Sequence, residues 1–198
     1  MKSDRGVAGA MSDVDIWRSL RMARFEPVTD WPARIVISPF DQNNLQPASV
    51  DLRLGSDFKF FLVASQRVDM ADRKVDMQSV SVHDCGFLTL KPGGFVLGST
   101  IERVELGPKI VGKVEGKSSL GRIGLTAHVT AGFIDPGFNG QITLEMFNAS
   151  PNTILLRPGL PICQIAFFEC ISTCDRPYGS KGLGSRYQGQ KGATAIKP

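Results

Sequence analysis

The sequence predicts an all-β domain, a sandwich or a barrel, with one short helix at its N-terminal end and a mobile segment at its C-terminal end. Short apolar runs follow one another along the chain, and turn residues separate them about every 8–12 residues, which is typical of all-β folds. The 198 residues include 21 glycines and 12 prolines, a share above the roughly 12% average that favours many turns. A chain of this length is expected to form one domain.

The predicted helix begins after Ser12, a residue type that caps helix N-termini. Asp13 and Asp15 lie in the first turn, where the helix dipole favours negative charge. Ile16 and Leu20 then recur on one face, as expected for a helix that packs on a core. The prolines that follow end any helical run.

Alternation and short apolar runs predict the strands. Val50, Leu52 and Leu54 alternate with polar residues, and residues 141–146 show the same period of two. This pattern is typical of strands with one buried face and one polar face. Further apolar runs predict strands at residues 59–63, 87–90, 95–97, 125–130, 154–156 and 162–168.

These patterns divide the chain into a flexible leader at 1–11, a β domain at 12–175 and a tail at 176–198. The tail contains no acidic residue, and its five basic residues are Arg176, Lys181, Arg186, Lys191 and Lys197. A segment of this composition is expected to be mobile unless another part of the molecule holds it.

Charge and hydropathy restrict the partners. The formal net charge of +4 favours anionic ligands, but it is too small for a dedicated nucleic-acid binder. No run approaches the ~20 apolar residues that span a bilayer. The N-terminus also lacks the apolar core of a signal peptide. We therefore expect a cytoplasmic protein without a membrane partner.

The four cysteines are Cys85, Cys163, Cys170 and Cys174, and no two of them form a C-x-x-C pair. Cys170 and Cys174 have a spacing that is compatible with half of a zinc site, but only two histidines exist to complete the ligand set. We interpret the cysteines as small apolar residues in or after strands, and we expect no zinc.

Residues 115–122, EGKSSLGR, form the densest polar segment. Its Gly-Lys-Ser sequence is similar to a P-loop, but the pattern G-x-x-x-x-G-K-S/T requires a glycine at position 111, which is Val111. Two hydroxyls, an ammonium, a guanidinium and exposed backbone amides still form a suitable anion site. A phosphate site and a polar turn remain equal interpretations of this segment.

Residues 131–140 connect two predicted strands. They form either a turn-rich loop or a nucleoside pocket, in which Asp135 accepts a sugar hydroxyl and Phe138 provides an apolar wall. On the strand that follows, Glu145 and Thr143 lie on the face opposite the apolar residues. Glu145 is either solvated there or, near Arg122 in a cleft, a general acid–base group for a heterocycle.

Taken together, these segments resemble the dCTP deaminase family, trimeric relatives of the dUTPases. The similarity covers roughly residues 12–194. It is carried, in family order and spacing, by QPASVDLRLG at 46–55, GKSSLGRIGL at 116–125, HVTAGFIDPGF at 128–138, ITLE at 142–145, RPG at 157–159, PYG at 177–179 and RYQGQ at 186–190.

The resemblance implies a dUTPase-like distorted jelly-roll or β-barrel whose tail is a mobile lid. It also implies a homotrimer with active sites between subunits. The implied ligands are dCTP and dUTP, with dTTP as a candidate inhibitor and Mg²⁺ bound mainly by the triphosphate. Neither zinc nor nucleic acid belongs to this set.

The same resemblance implies roles for individual residues. The residues implied to bind the phosphates are Lys117, Ser118, Ser119, Leu120, Gly121 and Arg122. Arg122 also holds the catalytic region. The residues implied to bind the nucleoside are Asp135, which contacts the 3′-hydroxyl, and Thr143 and Leu144, which contact the pyrimidine edge. Glu145 shuttles protons, while Ser118 and the carbonyl of Ala131 place the attacking water. Gln164, Tyr178, Arg186 and Gln190 complete the site.

Three positions depart from the family pattern. Lys117 stands where many members have Arg, which removes bidentate phosphate contacts. Arg186 stands where Lys is usual, and Ala193 where Pro is common. None of these differences removes a catalytic group.

The resemblance predicts a hydrolase of pyrimidine deoxynucleotide metabolism that converts dCTP to dUTP and ammonia. The alternative is a bifunctional enzyme that forms dUMP, pyrophosphate and ammonia. A remote alternative is a non-enzymatic β-barrel that binds single-stranded nucleic acid. The zinc-deaminase patterns H-x-E and P-C-x-x-C do not occur, so Glu145 is the expected acid–base group of a zinc-independent reaction.

Overall fold

The computed structural model describes residues 9–25, 31–62, 67–71, 75–83 and 86–196. The helices are α1 (Asp13–Phe25) and α2 (Ser118–Gly121), with a 3₁₀ turn at Gln42–Asn44. The strands are β1 (Ile35–Ser38), β2 (Leu45–Gln46), β3 (Ser49–Arg53), β4 (Asp57–Phe61), β5 (Met77–Ser81), β6 (Leu88–Leu90), β7 (Phe95–Leu106), β8 (Ile110–Gly116), β9 (Leu125–Thr126), β10 (Phe133–Ile134), β11 (Asn139–Asn148), β12 (Ile154–Leu156) and β13 (Pro161–Glu169). The predicted all-β class with an N-terminal helix is confirmed.

Two antiparallel sheets form the body of the molecule. One has the order β5-β4-β7-β11-β9, with β1 also paired to β7, and the other has the order β10-β8-β13-β3-β2. A separate pair joins β12 to β6. Both sheets contribute fully buried side chains to one core, among them Leu52, Leu106, Leu144 and Phe167. The remaining faces of the strands are therefore available for a site.

The strand β11 shows the predicted alternation over its whole length. Ile142, Leu144 and Met146 are buried, while the residues between them are half-buried on the other face. The strand is longer than predicted, since it extends from Asn139 to Asn148. Its period of two places Thr143 and Glu145 together outside the core.

The strand β7 is also much longer than the predicted run at 95–97. Its continuation contains Ser99, Thr100 and Glu102, all of which are buried. Thr100 Oγ1 donates to the carbonyl of Glu102, and Glu102 accepts hydrogen bonds from the backbone and side chain of Arg53. Hydrogen bonds within the protein permit Thr100 and Glu102 to be buried. Since the buried residues are polar, a search for apolar runs does not detect this part of the strand.

The predicted strand at 125–130 is wrong beyond Thr126. Only Leu125 and Thr126 pair with β11. The chain then passes to the other sheet, where the amide of Val114 donates to the carbonyl of Gly132 at 2.7 Å. A segment that crosses between sheets cannot continue one ladder, so residues 127–132 form a loop at the edge of the site.

Residues 9–11, which the sequence analysis assigns to the leader, contact β13. Met11 N donates to the carbonyl of Phe167 at 2.9 Å, and Ala10 forms an antiparallel bridge with Phe168. These contacts attach residues 9–11 to β13, and residues 1–8 lie outside the described part of the chain. The helix α1 follows as predicted and buries Ile16 and Leu20. No helix among the described residues is long and apolar enough to cross a membrane.

Candidate active site

A cavity of about 880 Å³ opens over the outer face of β11. Its walls come from the loop before β11, from strands β4, β5 and β7, and from the C-terminal tail. The residues predicted from the sequence that line it are Ala131, Asp135, Phe138, Thr143, Glu145, Tyr178 and Gln190. One strand and two flanking segments thus bring together the residues implied for the nucleoside.

Glu145 is one of three carboxylates that line this cavity, with Asp69 and Asp135. Its Oε2 accepts hydrogen bonds from the backbone amide of Thr130 at 3.2 Å and from Thr130 Oγ1 at 3.0 Å. Its Oε1 accepts none from any described residue. The loop that interrupts the predicted strand at 125–130 therefore fixes the orientation of the carboxylate.

Glu145 differs from the other glutamates of the described strands in its partners. Each of the others forms an ion pair with Lys or Arg, namely Glu102, Glu105, Glu115 and Glu169. No ion pair joins Glu145 to a described cation, including Arg122, which is exposed. The carboxylate is thus held by neutral donors and has an oxygen available for a ligand.

An aromatic pair forms the wall beside Asp135. Phe138 is buried, and its ring centroid lies 5.9 Å from that of Tyr178 at an interplanar angle of 56°. The amide of Tyr178 donates to the carbonyl of Pro136 at 2.7 Å. This contact fixes the beginning of the tail against the loop that carries Asp135.

The tail is docked on β11, whereas the sequence predicts a mobile lid. The amide of Gln141 donates to the carbonyl of Gln190 at 3.0 Å, and Gln190 Nε2 donates to the carbonyl of Gln141 at 2.6 Å. Gly192 N and Thr194 N donate to the side-chain oxygens of Gln141 and Thr143 at 2.7 and 3.2 Å. The tail was expected to be mobile unless another part of the molecule holds it, and these hydrogen bonds to β11 hold it.

Two glycines permit this close approach of the tail. Gly137 has a φ of +88°, and a Cβ atom there would lie 2.7 Å from Pro177 Cβ. A Cβ atom on Gly140 would lie 3.1 Å from the backbone nitrogen of Gln190. The motif at 131–140 therefore supplies both the pocket loop and the surface on which the tail lies.

The anion cluster, residues 117–122, lies elsewhere in the chain, at the end of β8 in the second sheet. Ser118, Ser119 and Arg122 are exposed, and none of residues 117–122 lines the cavity over β11. Lys117 is partly buried, with Nζ 2.6 Å from Asp51 Oδ2. Within one chain the structure thus separates the residues implied for the phosphates from those implied for the nucleoside.

Residues of β3 and β13 support the start of this cluster. Gln164 Nε2 donates to the carbonyl of Gly116 at 3.2 Å, and Ser49 Oγ donates to Gln164 Oε1 at 2.9 Å. Gln164 therefore lies beside the anion cluster and not in the cavity. Sequence reasoning missed Ser49 and Asp51, although a carboxylate within an alternating apolar strand is the signal that could have found Asp51.

The relation to known proteins agrees with this geometry. A family model described as dCTP deaminase-like matches residues 28–170. The chain belongs to the dCTP deaminase-like family. Similar curated proteins are each named "dCTP deaminase, dUMP-forming". The one from Corynebacterium kroppenstedtii is 50% identical over 163 residues, 81% of this chain and 87% of that protein. Those from Rhodococcus opacus and Beutenbergia cavernae are 47% and 48% identical over 166 residues, 83% of this chain and 88% and 86% of those proteins.

A solved structure shows the same fold. The 2′-deoxycytidine 5′-triphosphate deaminase from Agrobacterium tumefaciens superposes with a TM-score of 0.60 at 21% sequence identity. The match covers 83% of this chain and 49% of that one, so this chain spans about half the length of the solved protein. The fold expected for a dCTP deaminase family member is confirmed.

Two residues implied by the family resemblance lie outside the cavity for local reasons. The side chain of Leu144 is fully buried on the core face of β11, so only its backbone remains for contact with a pyrimidine edge. Arg186 lies on the exposed surface of the tail and does not line the cavity. Its neighbour Tyr187 does line it, and sequence analysis did not select that residue for the site.

Among the described cysteines, Cys163 is buried in the core. Burial, reinforced by the carboxylates of Glu102 and Asp51, raises the pKa of the Cys163 thiol far above its usual range. Cys170 and Cys174 are half-buried after β13, and Cys85 lies outside the described residues. No group of three or more metal-binding side chains occurs in the part of the chain that the structure describes.

Proposed function

We propose that this protein hydrolyses dCTP to dUMP, pyrophosphate and ammonia. The names of the relatives at 47–50% identity support the dUMP product. They favour the bifunctional alternative over an enzyme that stops at dUTP. The observation that carries the deaminase step is the carboxylate of Glu145, which faces the cavity without a cationic partner among the described residues.

In the deamination, a water oxygen bonds to C4 of cytosine while the N3 position gains a proton. Glu145 accepts the proton from the water and delivers it to N3. The carbonyl of Ala131 and the hydroxyl of Ser118 orient the water. The C4 hydroxyl then loses its proton, the amino nitrogen gains one, and the C4–N4 bond breaks to release ammonia. A positioned acid–base group of this kind contributes roughly 10²–10⁴ in rate.

In the second step, water adds to the α-phosphorus and the bond to the oxygen bridging the α- and β-phosphates breaks, which releases pyrophosphate. Lys117, Ser118, Ser119 and Arg122 supply the charge and hydroxyl groups that position a triphosphate. Because these residues do not line the cavity of their own chain, we propose a homotrimer in which one subunit's anion cluster meets the nucleoside cavity of another.

Magnesium is the proposed companion of the triphosphate. This ion prefers oxygen ligands and is often bound by substrate phosphates with one or two carboxylates. Asp51 Oδ1 is buried and has no hydrogen-bond partner among the described residues; it lies beside the oxygen that contacts Lys117. This oxygen is suited to be the single protein ligand of the ion. When bound there, the ion would reduce the negative charge of the phosphates. We propose no zinc at the base, because the chain lacks both zinc-deaminase patterns.

A nucleic-acid-binding tail receives less support. That function requires aromatic side chains that are exposed for stacking. The two tyrosines of the tail, Tyr178 and Tyr187, line the cavity, and the Tyr178 ring is half-buried against Phe138. Their position favours closure over a single nucleotide.

Product analysis tests the proposal. Incubation with dCTP and magnesium should yield dUMP, pyrophosphate and ammonia in equal amounts, without accumulation of dUTP. Accumulating dUTP would instead establish a deaminase that lacks the second step, and unchanged dCTP would refute the function. Chelation by EDTA should abolish turnover that magnesium restores, while stoichiometric zinc that is essential for activity would overturn the proposed mechanism.

A further inference from the structure

The register between β11 and β7 orders the floor of the cavity into rows. Thr143 pairs with Ser99, Glu145 with Leu97, and Phe147 with Phe95. Successive same-face pairs lie roughly 7 Å apart along a strand. A ligand that extends from Thr143 past Glu145 therefore reaches the row of Phe147 and Phe95 next, of which Phe95 lines the cavity.

The row beyond Glu145 is apolar across three further strands. Lys59 of β4 pairs with Leu97, so Phe61 lies in the same row as Phe95, and Phe61 pairs in turn with Met77 of β5. The rings of Phe61 and Phe95 stack with centroids 5.5 Å apart and an interplanar angle of 20°. Phe61, Met77 and Phe95 all line the cavity that contains Glu145.

We propose that Phe61, Phe95 and Met77, called here the apolar row, bind a substituent at C5 of the substrate's cytosine. This inference rests on the proposed function. Around the ring, N3, C4 and C5 follow in order. If Thr143 contacts the N3 edge and Glu145 serves N3 and C4, the C5 position is directed toward the apolar row. The substrate class thus extends to cytosine deoxynucleoside triphosphates with apolar C5 groups.

The exposure of the row supports an apolar occupant. Phe61 is 47% exposed although its ring stacks on Phe95, so part of its apolar surface remains to be covered. The cavity volume is in the upper part of the range of roughly 300–1,000 Å³ that is typical of small-molecule sites. Each methylene-sized group buried there strengthens binding about fourfold.

The test compares dCTP, 5-methyl-dCTP and 5-propynyl-dCTP as substrates, with ammonia release as the readout. The variant is Phe61→Ala, and the control is Phe87→Ala, since Phe87 is 45% exposed and does not line the cavity. The substituent's electronic effect on the ring is the same in every protein. The ratio of kcat/KM for 5-propynyl-dCTP to that for dCTP, compared between variants, therefore isolates the contact.

We expect the wild-type protein to use 5-propynyl-dCTP at least as efficiently as dCTP. Phe61→Ala should lower the propynyl-to-dCTP ratio about fivefold to tenfold, and Phe87→Ala should leave it unchanged. Rejection of 5-propynyl-dCTP by more than tenfold, with dCTP still deaminated, would show that a second copy of the chain or the tail covers the row, and would overturn the inference. An equal effect of Phe61→Ala on both substrates would also overturn it. Failure to deaminate dCTP itself would refute the proposed function and the inference together.

Discussion

The partners of individual carboxylates distinguish a site from a scaffold in this protein. The other glutamates of the described strands neutralise Lys or Arg side chains, whereas Glu145 is held by the amide and hydroxyl of Thr130. Its second oxygen accepts no hydrogen bond from any described residue and is therefore available to a ligand. At this scale the reacting group can be tested directly.

We expect Glu145→Gln to abolish ammonia release while dCTP affinity stays within about tenfold, because the amide keeps the shape but cannot transfer the proton. Ammonia release and calorimetric titration with dCTP measure the two effects. Glu169→Gln, which removes a carboxylate paired with Lys109, is the matched control and should retain activity. A Glu145→Gln protein with more than a tenth of wild-type turnover would contradict the assignment.

The pair Asp51–Lys117 links a buried strand to the anion cluster. We expect Asp51→Asn and Lys117→Gln each to raise the KM for dCTP and to lower the free energy of unfolding by about 1–3 kcal/mol, since each leaves a buried polar partner unpaired. In the free energy of unfolding, the double variant should show little more than one single effect, because both changes remove the same contact. Urea unfolding and steady-state kinetics give the two readouts, and additive effects on the free energy of unfolding would show that the contact between Asp51 and Lys117 does not stabilise the fold.

At the scale of elements, local pattern predicts β11 well and β7 poorly. The alternation from Ile142 to Met146 places Glu145 outside the core, and the structure agrees. In β7 the buried Thr100 and Glu102 are satisfied by partners from distant parts of the chain. A local pattern contains no information on such partners, so the long central strand is missed.

The tail is the element whose removal tests closure. Truncation after Cys174 should leave a folded protein with severely reduced activity, because the groups that line the cavity from Tyr178 onward are lost. Truncation after Thr194 should retain activity, since it keeps the hydrogen bonds to Gln141 and Thr143. Thermal unfolding and turnover measure the two properties. Normal turnover without the tail would remove Tyr178, Arg186 and Gln190 from the site.

For the molecule as a whole, the sequence predicts which residues belong to a site but not how one chain divides them. Glu145 lies on β11 in one sheet, and Ser118 follows β8 in the other. The order of strands in the sheets separates them, and this order depends on long-range pairing that periodicity does not encode. Assembly is therefore the property that decides whether the two sets work together.

A mixing experiment tests that assembly. Chains with Ser118→Ala and chains with Glu145→Gln should each be inactive, yet equal amounts reassembled together should recover about one quarter of wild-type activity if one site uses both neighbours. Mixing without reassembly is the control. Light scattering should give three times the monomer mass, and a monomer, or the absence of recovery in a trimer, would contradict shared sites.

The strict alternation of β11 has a consequence for how this protein tolerates mutation. Every second residue from Gly140 to Asn148 is buried, whereas Gln141 and Thr143 bond the tail, and Thr143 and Glu145 line the cavity. A saturation scan that scores cellular abundance and turnover separately should therefore show two interleaved profiles. Substitutions at even-numbered positions should lower the cellular abundance of the protein. Substitutions at Thr143 and Glu145 should leave its abundance unchanged and abolish turnover. Within this one ten-residue strand, neighbouring positions would thus be constrained alternately by folding stability and by catalytic activity.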